Sequence, residues 1–292
     1  MFRFAIVFLA AASLAFADER SQRLALRLAE EAAAFGRVAP RVVGRESLEQ
    51  RAQKPPGRFR IRVGKAATQP AEPEWQTRKI DSEYGFTTFA SDGSLHELHQ
   101  VTAVDGKAVK NGGPEALARI ILASDDSRKR ELLKQFEEHG LIGAVTDFGP
   151  LILLFAPGNI VRYEFTFRNV GTLRGVPVEV FGYKQIDGPN ALTFIDKESN
   201  ETKALEIRGE IWVRADTYVP VRITLASESG ALRQEAIVDY AMSRFGAVLP
   251  AATSHRELRN GKLAAENNFI YSDFRRFGAS ADIVFETGDS PR

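Results

Sequence analysis

The residues able to do chemistry are few and scattered. His96-Glu97-Leu98-His99 is the one place where two of the four histidines stand close together. On a helix the i, i+3 spacing would let both rings reach one metal, whereas on a strand they project to opposite faces. Gly93 before the motif and Val101, Thr102 and Val104 after it favour a strand, so the expectation is no metal site and exposed histidines. The carboxylates Glu83, Asp105 and Asp239 stand in strand or turn contexts, where acid–base work needs a second carboxylate brought close in a cleft. The chain has no cysteine and no G-x-S-x-G elbow, which removes two common nucleophiles. Asn111-Gly112-Gly113 reads as an ordinary turn, and Val104-Asp105-Gly106-Lys107 carries the Asp-Gly pair preferred in hairpins. No catalytic residue, no metal and no cofactor is expected.

The elements that would position these residues begin with an export signal. Arg3 precedes an uncharged apolar run, Phe4 to Phe16, and Ala15-Phe16-Ala17 is an A-x-A site, so cleavage is expected between Ala17 and Asp18. The run is shorter than the roughly 20 residues a membrane span needs. Removing residues 1–17 leaves 275 residues, and it takes one base, Arg3, so that 38 bases face 38 acids. A neutral chain gives no footing for nucleic acid, whose binding rests on clustered positive charge. Without cysteine neither a disulfide nor a lipid-acceptor thiol is available, and stability rests on an apolar core to which 20 Phe contribute. The expected location is periplasmic or secreted.

Residues 18–286 read as a single α+β domain, with a disordered tail at 287–292. A helix is expected over Ser21–Phe35, where Leu24, Leu28 and Ala32 form a stripe that Gly36 ends. A helical insertion is expected over Pro114–His139, with a restart at Ser124-Asp125-Asp126. Arg58-Phe59-Arg60-Ile61-Arg62-Val63 alternates as a half-buried strand does, its arginines on a solvated face. From Leu151 onward strands follow one another: Val161 to Phe167, Val176 to Val180, Ile207 to Arg214, Val219 to Leu225, Glu235 to Phe245, Thr253 to Leu258 and Asn268 to Phe277. Asn260-Gly261 is the turn between the last two. No helix separates successive strands, which predicts an antiparallel sheet with one packed face and one wet face.

Gly209-Glu210-Ile211-Trp212-Val213-Arg214, Asp216-Thr217 and Val219-Pro220-Val221-Arg222-Ile223 resemble a strand–turn–strand of the LolA/LolB-like superfamily of periplasmic lipoprotein carriers. Ile237-Val238-Asp239-Tyr240, Phe245-Gly246, Leu249-Pro250 and the aromatic strand Tyr271-Ser272-Asp273-Phe274 extend the likeness, which is firmest over residues 205–277. The resemblance implies a large curved antiparallel sheet, an incomplete β-barrel, with helices covering its concave apolar face. It also implies a hydrophobic ligand held there: a lipid, an acyl chain or a lipoprotein, exchanged with a transient outer- or inner-membrane protein partner. Candidate lining residues are Phe59, Ile61, Tyr163, Phe165, Phe167, Ile211, Val213, Val221 and Ile223, and each of them serves a solid core equally well. Beside this binding role stand two others: an envelope scaffold with a filled interior, and an exported hydrolase for which no motif speaks.

Overall fold

The computed structural model describes residues 4–54, 73–90, 93–110, 113, 115–141, 147–188, 192–195, 202–205 and 207–277, with the side chains of residues 4–18, 192–195, 202–205 and 229 left aside. The arginine-alternating segment with Phe59 and Ile61, and the tail at 287–292, lie outside these residues.

Among the described residues, eleven strands form one antiparallel sheet. β1 (Val42–Gln53), β2 (Trp75–Thr88), β3 (Leu95–Val104) and the two-residue β4 (Lys107–Ala108) make one end. β5 (Tyr163–Leu173), β6 (Val176–Gln185), β9 (Arg208–Arg214), β10 (Pro220–Ser229), β11 (Leu232–Met242), β12 (Val248–Arg259) and β13 (Lys262–Arg276) make the rest. The short hairpin of β7 (Leu192–Ile195) and β8 (Thr202–Leu205) is a separate two-stranded sheet between β6 and β9. The spatial order is β4-β3-β2-β1-β13-β12-β11-β10-β9-β6-β5, so the first long strand pairs with the last and the sheet stays open. Asp105-Gly106 and Asn260-Gly261 turn with positive φ at both residues, as two-residue hairpins require.

Register makes the apolar pattern continuous. Phe167, Phe181, Ile211, Ile223, Val238, Thr253, Phe269, Leu48, Ile80 and Val104 are partners in turn across ten strands. Only Thr253 in that row is polar. Against it lies α1 (Phe4–Val38), whose Leu24, Leu28, Ala32 and Phe35 are buried in the same cluster.

Topology supplies the rest of the cover. β4 and β5 are opposite edges of the sheet, so the chain between them must travel from one edge to the other. It forms α2 (Ala116–Leu122), α3 (Ser127–His139) and a 3₁₀ strap (Gly149–Phe155) whose Leu151, Ile152 and Phe155 join the concave core. α2 packs instead on the reverse face, where Leu117 and Ile121 meet Val43 and Leu98. Gly85 makes room there, since a Cβ on it would stand 2.8 Å from Ile121 Cδ1. α3 gives Leu132 to this cluster and Phe136 to the concave core.

Two elements differ from expectation. α1 passes through Gly36 to Val38, because one glycine costs a helix only about 1 kcal/mol while Pro40 cannot continue it. The strand expected from Leu151 is the 3₁₀ strap: Pro150 in its first turn suits a helical start and removes a ladder donor. Within α1, Glu31 is buried and paired with Arg27 one turn earlier.

Candidate functional site

Of the expected lining residues within the described structure, Tyr163, Ile211, Val213 and Ile223 are buried in the main core, and half-buried Phe165 and Phe167 pack against it. Val221 is half-buried beside a bulge between Pro220 and Arg222 and joins neither apolar cluster. What covers the buried residues is the chain itself. Leu24, Leu28 and Phe35 of α1 and Ile152 and Phe155 of the strap are all 0% exposed. Phe155 stands edge-on to Tyr163 and Tyr183, at 5.1 and 5.0 Å between ring centroids, and Phe35 meets Phe86 at 5.4 Å. The N-terminal end of the described part of α1 is pinned differently. Arg20 lies 4.6 Å over the Phe167 ring and Arg23 4.3 Å over Tyr218, whose hydroxyl donates to Glu179 at 2.7 Å.

A cavity of about 580 Å³ opens at the rim, between Lys184, Gln185, Ile207, Arg208 and Glu228. None of the expected lining residues within the described structure borders it. Lys184 pairs with Glu164 at 2.9 Å and Arg208 with Glu228 at 3.8 Å, so charge pairs frame this opening.

Polar groups flank the apolar row on the strands nearest β1. His99 and Glu46 are both 0% exposed at their side chains, with Nδ1 2.9 Å from a carboxylate oxygen, and Phe136 stacks on the imidazole at 4.0 Å. Burial works against the imidazolium, but Glu46, by charge and hydrogen bond, together with Glu97 and Asp147, outweighs it and holds His99 above its usual pKa. Glu97 shares the strand face of His99, two residues away. Burial pushes its carboxyl up to about 7, opposed by His99 and reinforced by Asp147. Tyr84 donates to Glu97 and packs on Tyr271 at 4.6 Å; burial and then Glu97 raise its hydroxyl well above the usual range. Beyond Leu48, Gln50 donates to Asn267 at 2.6 Å, and Asn267 Nδ2 lies 3.1 Å from His255 Nδ1. Burial lowers His255 to about 4. Among the described residues the Nε2 atoms of His99 and His255 have no hydrogen-bond partner.

The expectation of exposed histidines therefore fails for His99, which is 0% exposed, and holds in part for His96, which pairs with Asp147 at 3.0 Å. Alternation did place His96 and His99 on opposite faces. It also put Glu97 and His99 on one face, and that i, i+2 relation was the signal in the sequence for a buried polar pair. β1 gave no comparable signal, because its inward residues Glu46 and Gln50 are as polar as its outward ones. Among the described residues, no group of three His, Asp or Glu is arranged to hold a metal.

No family model matches the chain, and no curated protein does. Three solved structures are similar to it. A DUF1329 family protein from Desulfovibrio piger ATCC 29098 is 10% identical, over 89% of this chain and 96% of that one, at a TM-score of 0.39. A domain assigned as an outer membrane lipoprotein-sorting protein from Vibrio parahaemolyticus is 14% identical, over 88% and 94%, at 0.33. The LolA superfamily protein NE2245 from Nitrosomonas europaea is 13% identical, over 87% and 94%, at 0.32. The fold itself is defined by the open sheet and its helices.

Proposed function

We propose that this chain is an exported, non-enzymatic envelope protein that carries an acyl chain or another hydrophobic ligand on its concave face, in the space that α1 and the strap now fill. One observation carries this reading: a row of partnered residues across ten strands, apolar but for Thr253, is covered by α1, the strap and Phe136 of α3 rather than by a second sheet. A helix and a strap that make no ladder hydrogen bonds to the sheet can move as units, and the aromatic side chains beneath them suit an apolar guest. Export fits the same picture. Cleavage between Ala17 and Asp18 shortens α1 at its start and leaves the buried stripe from Leu24 to Val38 whole. Among the described residues no helix is long and apolar enough to cross a membrane.

Native mass spectrometry of protein purified from the envelope without detergent tests the reading, together with uptake of a fluorescent fatty acid. A bound lipid mass and saturable uptake are expected; absence of both overturns it. N-terminal sequencing of the exported form is expected to begin at Asp18.

The occupied interior favours a second reading, an envelope scaffold whose core never opens. It predicts no uptake under any condition and a membrane-protein partner recovered by crosslinking on the outer surface.

A further inference from the structure

Glu97 is 2% exposed, and both of its carboxylate oxygens are turned toward the strap. One accepts the N–H of Asp147; the other accepts the N–H of Gly149 at 3.0 Å and the hydroxyl proton of Tyr84. In return Asp147 accepts the N–H of Glu97 at 2.7 Å and faces His96 at 3.0 Å. Tyr240 grips the same stretch: its hydroxyl donates to the Gly149 carbonyl at 2.9 Å and accepts the Ile152 N–H at 3.1 Å. Two backbone features show how tightly the contact is built. A Cβ on Gly149 would stand 2.3 Å from the Glu97 oxygen and 2.5 Å from the Tyr84 hydroxyl, so the strap reaches the carboxylate because that side chain is missing. Asp147 sits at φ 68°, a left-handed conformation that a non-glycine residue keeps only where its surroundings hold it.

We propose that Glu97 is the latch of a gate, clamping the strap over the concave face and, through the strap, holding α1 closed. The proposal rests on the carrier reading and names how its site is controlled. The strap bonds to the sheet through Glu97 and Tyr240, while its other side chains, Leu151, Ile152 and Phe155, pack with α1 in the apolar core. Gly36 of α1 lies against Leu153. Helix and strap therefore cannot separate from the sheet independently without tearing their shared core. A 3₁₀ segment has weak hydrogen bonds of its own, so its position depends on these few contacts.

An amide at position 97 exposes the dependence. It offers a single acceptor oxygen, so whichever way it turns, either the Asp147 or the Gly149 N–H faces an NH₂. Losing one such hydrogen bond is worth on the order of tenfold in the opening equilibrium.

Amide hydrogen exchange of the full chain, read by mass spectrometry, tests this. In the wild type the amides of 147–155 and 24–38 are expected to open together, and faster than those of β11 and β12. Glu97→Gln is expected to speed both segments about tenfold and leave β11 and β12 unchanged. Gly149→Ala, which keeps the charge, is expected to act in the same direction and to show that steric loss of the contact suffices. A strap as protected as the sheet, acceleration spread evenly over the protein, or an unmoved α1 would overturn the latch. Fatty-acid uptake separates the two readings. If strap and helix loosen as stated but neither wild type nor variants take up the probe, the carrier reading falls and the latch stands. If uptake proceeds at an unchanged rate in a loosened variant, the carrier reading stands and the latch falls as a gate.

Discussion

A single row of partnered residues changes character halfway across the sheet. On β10 and β11 it is Leu225 and Ala236; from β12 onward it is His255, Asn267 and Gln50. The two regions are held by different physics. In the apolar half, from β5 to β11, contacts are non-directional and each side chain needs only a neighbour of suitable volume. In the polar half every buried donor and acceptor needs a partner at a defined place, so a small shift of the strap strands several groups at once. The apolar half is thus the part that can exchange its own helix for a guest, and the polar half is the part that decides where the cover sits.

Removing volume from the apolar half should produce the largest loss. Phe155→Ala is expected to cost about 3–5 kcal/mol by urea unfolding, and an apolar probe that fills the vacated space should restore part of it. No recovery by any apolar probe would mean that this half is as specific as the other. The polar half should answer differently to a similar insult. His99→Leu leaves Glu46 buried without its partner and is expected to cost about 3–5 kcal/mol, whereas the double change Glu46→Leu with His99→Leu should return to within about 1 kcal/mol of wild type. If the double variant is as unstable as the single, the pair is holding more than itself.

The same contrast explains what could be read in advance. Ile211, Val213 and Ile223 alternate cleanly with polar residues, and hairpin turns at Asp105-Gly106 and Asn260-Gly261 follow from residues that tolerate positive φ. Periodicity thus exposed the sheet and the greasy half of the concave face. It could not expose β1, where buried Glu46 and Gln50 make the inward face as polar as the outward one. Pro150 marks Leu151 to Phe155 as no central strand, but periodicity could not show where the strap would sit, since Glu97 meets the backbone of Gly149 from about fifty residues away. Hydrophobic pattern is local; the polar site is made by register between strands remote in sequence.

Protons should separate the halves less strongly but more specifically. Glu97, raised from 4.5 to about 7 by burial beside Asp147 and Glu46 and against the pull of His99, gives stability that is fully present below pH 4.5 and lost as pH rises through about 7. His99, also raised, works in the same sense. His255, lowered from 6.5 to about 4 by burial between Asn267 and Phe148, works oppositely: its contribution is present above pH 6.5 and lost as pH falls through about 4. Between about pH 5 and 6 the proton held by folded Glu97 matches the one held by unfolded His255, so the two cancel. Glu97→Gln should therefore lose stability relative to wild type as pH falls from 6.5 to 4.5, and His255→Phe should gain it, each by at most about 3 kcal/mol. Urea titrations at a series of pH values read this directly, and variant curves parallel to wild type would assign the protons elsewhere.

The smallest expected effect lies where the cover meets the edge of the apolar half. Arg20 and Arg23 rest on Phe167 and Tyr218 at the start of the described α1, and such stacking of an exposed guanidinium on a ring is worth about 0.5–1 kcal/mol. Arg23→Ala should leave the unfolding midpoint nearly unchanged and accelerate exchange only in the first turns after Ser21. The strap should keep its protection, because it is fastened at the other end of the helix through Glu97. If Arg23→Ala loosened the strap as much as Glu97→Gln does, the cover would be released from its apolar edge, and the polar half would lose its claim to set the position of the helix.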